Sequence, residues 1–348
     1  VTQRAYLDHN ATTPLRPEAR AAMVEAMDVA GNPSSVHAEG RAARALVEKA
    51  RAAVAEATGC AAGDVVFVSG ASEAAALLLA GRSLQGAAIE HEAVGAWTDE
   101  SLPVDSEGRV ALADPATATL QLANSETGVI QDLPSGLAVS DITQGFGRLP
   151  FSFDWSGVQA AFLSAHKFGG PKGVGAVLLQ PGTDLAARIR GGGQEMGRRA
   201  GTENLIGIAG MAAAATAAQA ELADGAWARV EILRDRLEEA IASAGTGLIY
   251  PGRGAARLPN TSCIAVPGWK GETQVLQMDL AGFAVSAGSA CSSGKLRPSK
   301  VLRAMGHGEE VATSAIRVSL GPETTEDEIM RFADRWTAAL NKRRARAA

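Results

Sequence analysis

Val65-Val66-Phe67-Val68-Ser69-Gly70-Ala71-Ser72-Glu73 is the stretch that decides the fold class. Four consecutive apolar residues, three of them β-branched, suit a strand buried on both faces. They run into a small-residue turn, and a helical pattern follows from Glu73. A strand that feeds a helix this way is half of a βαβ unit. The alternation recurs along the chain. Thr119–Ala123, Gly136–Ser140, Ala161–Ser164 and Gly175–Leu179 read as further strands. Ala38–Thr58 reads as a helix, with Leu46, Ala50 and Val54 four residues apart and Gly59 as its stop. The pattern predicts an α/β protein with a largely parallel sheet.

A second helical stretch runs from Ile206 to Ser243, with a break expected near Asp224-Gly225. Its first half is almost all alanine, so it should lie close against a neighbour. Beyond Gly245 come Gly, Pro and Arg punctuation and a new series of strands, which places a domain boundary there. The last helix opens with a capping box from Thr325 to Glu328, and Ile329, Phe332, Trp336 and Leu340 form its apolar stripe.

The chain has 348 residues, room for two domains. It is 46% hydrophobic and 20% charged, enough for a sizeable core; aromatics are only 4%, so Ala, Val and Leu do most of the packing. Lys plus Arg total 33 against 38 Asp plus Glu, a net charge of −5, which argues against a nucleic-acid binder. The cluster Lys342, Arg343, Arg344 and Arg346 suits the C-terminal end of a helix. No run of 18 apolar residues occurs and Val1–Arg4 does not read as a secretory signal, so a cytoplasmic protein without a membrane span is expected. Three scattered cysteines (Cys60, Cys263, Cys291) without a CxxC predict free thiols, with no disulfide framework and no metal site.

Several common motifs fail on inspection. The Ser289–Leu296 stretch lacks the first Gly and the Ser/Thr of a P-loop. Gly191-x-Gly193-x-x-Met196 lacks the third Gly of a dinucleotide fingerprint. His91-Glu92 is followed by Gly95 where a zincin needs His, and Gly70–Ala74 lacks the last Gly of a nucleophile elbow.

Four places remain. Ser164-Ala165-His166-Lys167 ends a strand and enters a glycine-rich turn. A lysine there can be desolvated into a free amine for carbonyl chemistry. Ser69–Glu73 opens a helix whose N–H groups suit a phosphate. Asp141-Ile142-Thr143-Gln144 follows a strand, where an acid can keep a pyridine nitrogen protonated. His91 follows Ala88-Ile89-Glu90, where an imidazole can stack on a ring or move protons. Each has an ordinary alternative: a surface lysine, an N-cap serine, a loop aspartate, a buried histidine. Together they ask for an aldehyde, a phosphate, a pyridine nitrogen and a ring face. Pyridoxal 5'-phosphate satisfies all four.

The ordered motifs extend nearly end to end. They include Tyr6–Pro14, Gly31–His37, Ser69–Glu73, Glu90-His91, Asn124–Gly128, Ser164–Gly175, Gly192–Glu195, Arg199–Asn204, Ser286–Ser293 and Ile316–Gly321. On these the chain resembles the NifS/IscS-type cysteine desulfurases of the class-V, fold-type I pyridoxal-phosphate family. The resemblance implies a large coenzyme domain, residues 13–245, with a mostly parallel seven-stranded-type sheet flanked by helices. It implies a smaller α+β domain, residues 1–12 and 246–348, bearing a catalytic cysteine loop. By this resemblance Lys167 carries the coenzyme, Asp141 holds its ring nitrogen, Gln144 its ring hydroxyl, and His91 stacks on the ring as a catalytic partner. Ala71, Ser72, Ser164 and His166 bind the phosphate. Thr202 reaches the phosphate of a neighbouring subunit, which implies a homodimer. Asn124 and Arg317 hold the carboxylate of L-cysteine.

Cys291 sits in Ser286–Gly294, a run of small residues unlike the setting of a structural thiol. The resemblance makes it the nucleophile that takes sulfur from cysteine as a persulfide, leaving alanine and serving an iron–sulfur scaffold or other acceptor protein. Cys60 and Cys263 read as structural. The chain departs from its relatives in Ser72, Ala75, Ala76 and Met196, and in short segments at Ala93–Asp114 and Gln131–Asp141. Two alternatives compete: a selenocysteine lyase or other class-V enzyme, and a coenzyme-binding scaffold of weak activity. Alanine and sulfide formed from cysteine separate the last from the rest.

Overall fold

The computed structural model describes residues 4–183, 185–243, 245–288 and 297–347. Its strands are β1 Ala5–Tyr6, β2 Val65–Val68, β3 Gln85–Ala87, β4 Asp99–Leu102, β5 Thr119–Gln121, β6 Val139–Asp141, β7 Ala160–Ser164, β8 Gly175–Leu179, β9 Thr261–Ala265, β10 Phe283–Ala284, β11 Ser286–Ala287 and β12 Ala315–Ser319. The main sheet runs β2-β8-β7-β6-β5. Strand β8 is antiparallel to both neighbours, and the other pairings are parallel. A parallel bridge from Gln85 to Ala118 attaches the β3–β4 pair beyond β5, which extends the row to seven strands. The architecture is thus a mixed sheet with one reversed strand among the described residues.

Alternation sends successive side chains to opposite faces. Val65, Phe67, Ala161, Leu163, Ala176 and Leu178 enter one core with the helices Pro17–Met27, Ala38–Thr58 and Leu205–Ala223. Val66, Val68, Ala160, Phe162, Val177 and Leu179 enter a second core with the helix Ala71–Leu79. A sheet covered on both faces needs continuous apolar strands, and these are continuous. The alanine-rich Leu205–Ala223 helix is long and apolar enough to cross a membrane, yet Ile208, Met211, Ala214, Ala215 and Ala218 are buried in the first core. Small side chains let it approach two helices closely.

The expected helix Ala38–Thr58 has those ends, and Gly59 at φ 69° supplies the left-handed cap. The Thr325–Glu328 box forms as read: Thr325 N–H donates to Glu328 Oε2 at 2.9 Å, and Glu328 N–H to Thr325 Oγ1 at 3.3 Å. One boundary moves. Gly136 adopts φ 84° in a turn, so β6 begins at Val139 and ends on Asp141 itself. The helix Ala226–Ala242 packs Trp227, Val230, Leu233, Leu237 and Ile241 into the core built on β9, β12 and the last helix. The break at Asp224-Gly225 thus lies between a helix of the first core and a helix of this third core. Ala5 and Leu7 join that same smaller core.

One buried ion pair bolts the large unit together. Arg51 donates to Glu195 at 2.7 and 2.9 Å, and the Phe67 N–H donates to the same carboxylate at 2.8 Å. Glu195 and Met196 hold left-handed φ of 49° and 56°, a conformation that costs non-glycine residues energy. Glu195→Gln removes the buried counter-ion of Arg51 and leaves only the exposed Glu48, 3.3 Å from its Nε. Its expected cost is about 3 kcal/mol, read as a lower urea midpoint. An unchanged midpoint counts against the pair.

Candidate active site

Strands β2, β5, β6 and β7 point the same way and deliver Ser69, Gln121, Asp141 and Ser164 to one edge of the sheet. Register keeps the groups adjacent: Val68 and Ser164 both pair with Gly175, and Asp141 pairs with Gln121 and Phe162. A cavity of about 580 Å³ opens there. Ala71, Ser72, His91, Asp141, Gln144, Ser164, His166 and Lys167 all line it. Sequence separations of up to 96 residues collapse into one site, from Ala71 to Lys167.

Gly70 turns the chain from β2 into the Ala71–Leu79 helix at φ 153°, a conformation essentially reserved for glycine. A side chain at Gly175 would meet the Leu163 carbonyl at 2.6 Å and Gly70 Cα at 2.9 Å. The two glycines let backbone close around the helix start. The N–H groups of its first turn have no carbonyl behind them and face the cavity. Ala71 and Ser72 are the first two helical residues, and Ser164 Oγ stands beside Gly70. Ser72 is thus inside the helix and is not its cap. His166 donates or accepts at Thr12 Oγ1, 3.2 Å away, and burial with the nearby Lys167 charge pushes its imidazole down to about 4. It is a neutral ring at physiological pH.

Lys167 Nζ donates to the carbonyls of Asn10 at 2.7 Å and Ala11 at 2.9 Å. Burial, then the charges of Arg317 and Arg148, bring its ammonium down from 10.5 to about 8. The free amine therefore becomes the majority form above about pH 8. Capture of coenzyme by the stripped chain should rise with pH around that value. A midpoint near 10.5 would show that the desolvation is absent.

Asp141 Oδ1 accepts the Thr143 N–H at 2.9 Å. Burial pushes its carboxyl up, while the Thr143 hydrogen bonds and the charges of His91 and Lys167 pull it back. A cationic N–H donor is the partner such a half-buried acid lacks. His91 caps the Glu92–Gly95 turn, its Nδ1 accepting the Ala93 N–H at 3.1 Å, which fixes the ring. It follows β3 through a turn rather than a strand end at Glu90. Gln144 Nε2 donates to the Asn10 carbonyl at 3.0 Å.

Arg317 donates to Asp8 Oδ1 at 2.7 Å and to the Ser125 carbonyl at 3.0 Å, while its buried Nε has no partner among the described residues. That orphan donor suits a carboxylate. Asn124 is 1% exposed; its amide donates to the Ile89 carbonyl at 3.0 Å and its oxygen accepts from the Glu126 and Thr127 N–H groups. Asn124 is not among the residues lining the cavity, although its neighbours Ala123 and Ser125 are. Thr202 is exposed and does not line this chain's own cavity. Cys291 lies outside the described residues. Cys60 and Cys263 are unreactive by environment: burial pushes the first thiol up to about 11 and the second well above its ordinary value.

Two residues escaped the sequence reading. Arg148, 3% exposed, donates to Asn10 Oδ1 and Gln144 Oε1, each at 2.7 Å, and to the Lys167 carbonyl at 3.1 Å. Asn10 accepts from both Lys167 and Gln144 on its carbonyl. A buried cation spaced four residues from Gln144 was the available signal. The donor set fits pyridoxal phosphate: an amine held partly desolvated, a half-buried acid wanting a cation, a fixed ring and a phosphate cup.

The aminotransferase class-V family profile matches residues 5–97 and 106–332. A cysteine desulfurase of Cereibacter sphaeroides is 39% identical over 382 aligned positions, covering 99% of this chain and 97% of that protein. A cysteine desulfurase IscS of Dictyoglomus turgidum is 35% identical, covering 94% and 92%. The solved structure of a NifS-like protein from Rickettsia africae superposes with a TM-score of 0.88 at 29% identity, over 97% of this chain and 100% of that one. On geometry and likeness together, the chain belongs to the class-V aminotransferase family, among its NifS/IscS-like cysteine desulfurases.

Proposed function

We propose that the chain converts L-cysteine to L-alanine with pyridoxal phosphate on Lys167 and receives the sulfur on Cys291. The single observation that carries the coenzyme part is the desolvated Lys167 amine lining one cavity with the half-buried Asp141. When bound, the coenzyme supplies an electron sink for a carbanion at the substrate Cα.

The chain's own residues do the rest. Arg317, through its open Nε, orients the substrate carboxylate. Lys167, once released, stands as the base for the Cα proton, and a group near 8 exchanges protons readily at neutral pH. Asp141, as an anion, keeps a ring nitrogen protonated. The Cys291 thiolate attacks the substrate sulfur; the S–S bond forms and the Cβ–S bond breaks. Cβ leaves with the electron pair and takes a proton, giving alanine and a protein persulfide. The chain acts as a homodimer in which Thr202 serves the neighbouring cup, and an iron–sulfur scaffold or another protein accepts the sulfur. Support for the dimer is that Thr202 is exposed away from its own cavity. Sedimentation of the loaded chain tests it: a dimer is expected, and a monomer with full activity overturns the Thr202 role.

A further inference from the structure

The phosphate cup is closed by a carboxylate, which is an odd neighbour for a phosphate. Glu73 is the third residue of the Ala71–Leu79 helix and lines the cavity. Its Oε2 accepts the Ser69 N–H at 2.8 Å, so it reaches back across the cup's opening turn. Two anions in one cup repel, and low local dielectric strengthens the repulsion. Arg199 removes it. Arg199 Nε donates to Glu73 Oε1 at 2.8 Å and its terminal nitrogen to Oε2 at 3.3 Å, with both side chains largely covered. Burial disfavours the ionised acid, but the Arg199 pair and the Ser69 hydrogen bond outweigh it and hold the carboxyl below its ordinary value.

Arg199 is not local to the cup. It sits 126 positions along the chain, on the segment that Glu195 pins to Arg51 and to the Phe67 N–H of β2. The C-terminal half of β2 and the turn after it are therefore tied to one segment: Phe67 through Glu195, and Ser69 through Glu73 and Arg199.

We propose that Arg199 and Glu73 form a positioning pair for the coenzyme phosphate, in which Glu73 shapes the cup and Arg199 cancels the charge that this shaping introduces. The inference rests on the pyridoxal-phosphate reading above. It predicts an asymmetry that a plain structural salt bridge does not give. Arg199→Gln leaves an unpaired anion beside the phosphate and weakens coenzyme binding about 10-fold or more, the scale of one desolvated charge contact. Glu73→Gln keeps an acceptor for Ser69 and weakens binding by about 3-fold or less. The double variant binds more tightly than Arg199→Gln alone, because the offending anion is gone.

Equilibrium dialysis of the full-length chain and the three variants, against pyridoxal phosphate and against pyridoxal, tests this. Pyridoxal lacks the phosphate, so its affinity should change by less than about 2-fold in every variant. Thermal midpoints taken alongside report folding. The proposal is overturned if Arg199→Gln weakens both ligands alike, or if the double variant binds pyridoxal phosphate no better than Arg199→Gln. A wild-type chain that binds no pyridoxal phosphate overturns the functional reading instead.

Discussion

Lys167→Ala is expected to lower cysteine turnover by roughly 10⁴-fold or more, the scale of losing a positioned general base, with the loss of a covalent anchor added. Borohydride reduction fixes the coenzyme to a single lysine in the wild-type chain, and peptide mapping should find it on Lys167. In the variant nothing is fixed, although the cup built on Gly70, Ser72 and Ser164 still holds the phosphate by its N–H groups and hydroxyls. The expectation follows from the environment of Nζ. It is held by two backbone carbonyls, has no carboxylate in direct contact among the described residues, and is brought to about 8 by burial and by Arg317 and Arg148. Lys172 also lines the cavity and is the alternative anchor. Coenzyme fixed on Lys172 in the wild-type chain would contradict the assignment.

Cys291→Ser is the second large effect. Persulfide on the protein should vanish, and alanine formation should fall by about 10³-fold, as when a nucleophile is removed while binding and electrostatics remain. Visible absorption of the bound coenzyme and its affinity should stay at wild-type values, because the cup and Lys167 are untouched. Cys60→Ser is the control. Its thiol, raised to about 11, is protonated at neutral pH, stands beside Thr58 and packs against the first core, and Cys60 does not line the cavity. Turnover within about 2-fold of wild type is expected there. Persulfide found on Cys60 would reverse the two roles.

Much of this was legible before any coordinates. Strands covered on both faces are uniformly apolar, so Val65–Val68 and Gly175–Leu179 could be read to the residue. Helix ends were legible where a chemical device marks them, at Gly59 and at Thr325 with Glu328. What failed depended on partners distant in sequence. An amphipathic helix such as Ala226–Ala242 shows that it has a buried face, but not which core receives it. Gly136 opens the apolar run Leu137–Val139 but turns at φ 84°, and β6 starts only at Val139. Arg148 was missed because arginine is seldom buried, and the atoms that satisfy it lie on His9, Asn10 and Lys167. The phosphate cup was foreseen as a helix start, whereas the charge balance beneath it depends on Arg199, which no local pattern connects to Glu73.

The central claim is that one cavity joins a coenzyme-bearing lysine to a sulfur-accepting thiol. Purified full-length chain loaded with pyridoxal phosphate and given L-cysteine tests it most directly, with alanine and sulfide measured with and without a thiol reductant. The account predicts alanine in both arms, sulfide in equal amount only with reductant, and without it a single persulfide on Cys291. Pyruvate and ammonia in place of alanine, or a loaded chain that leaves cysteine intact, would contradict it.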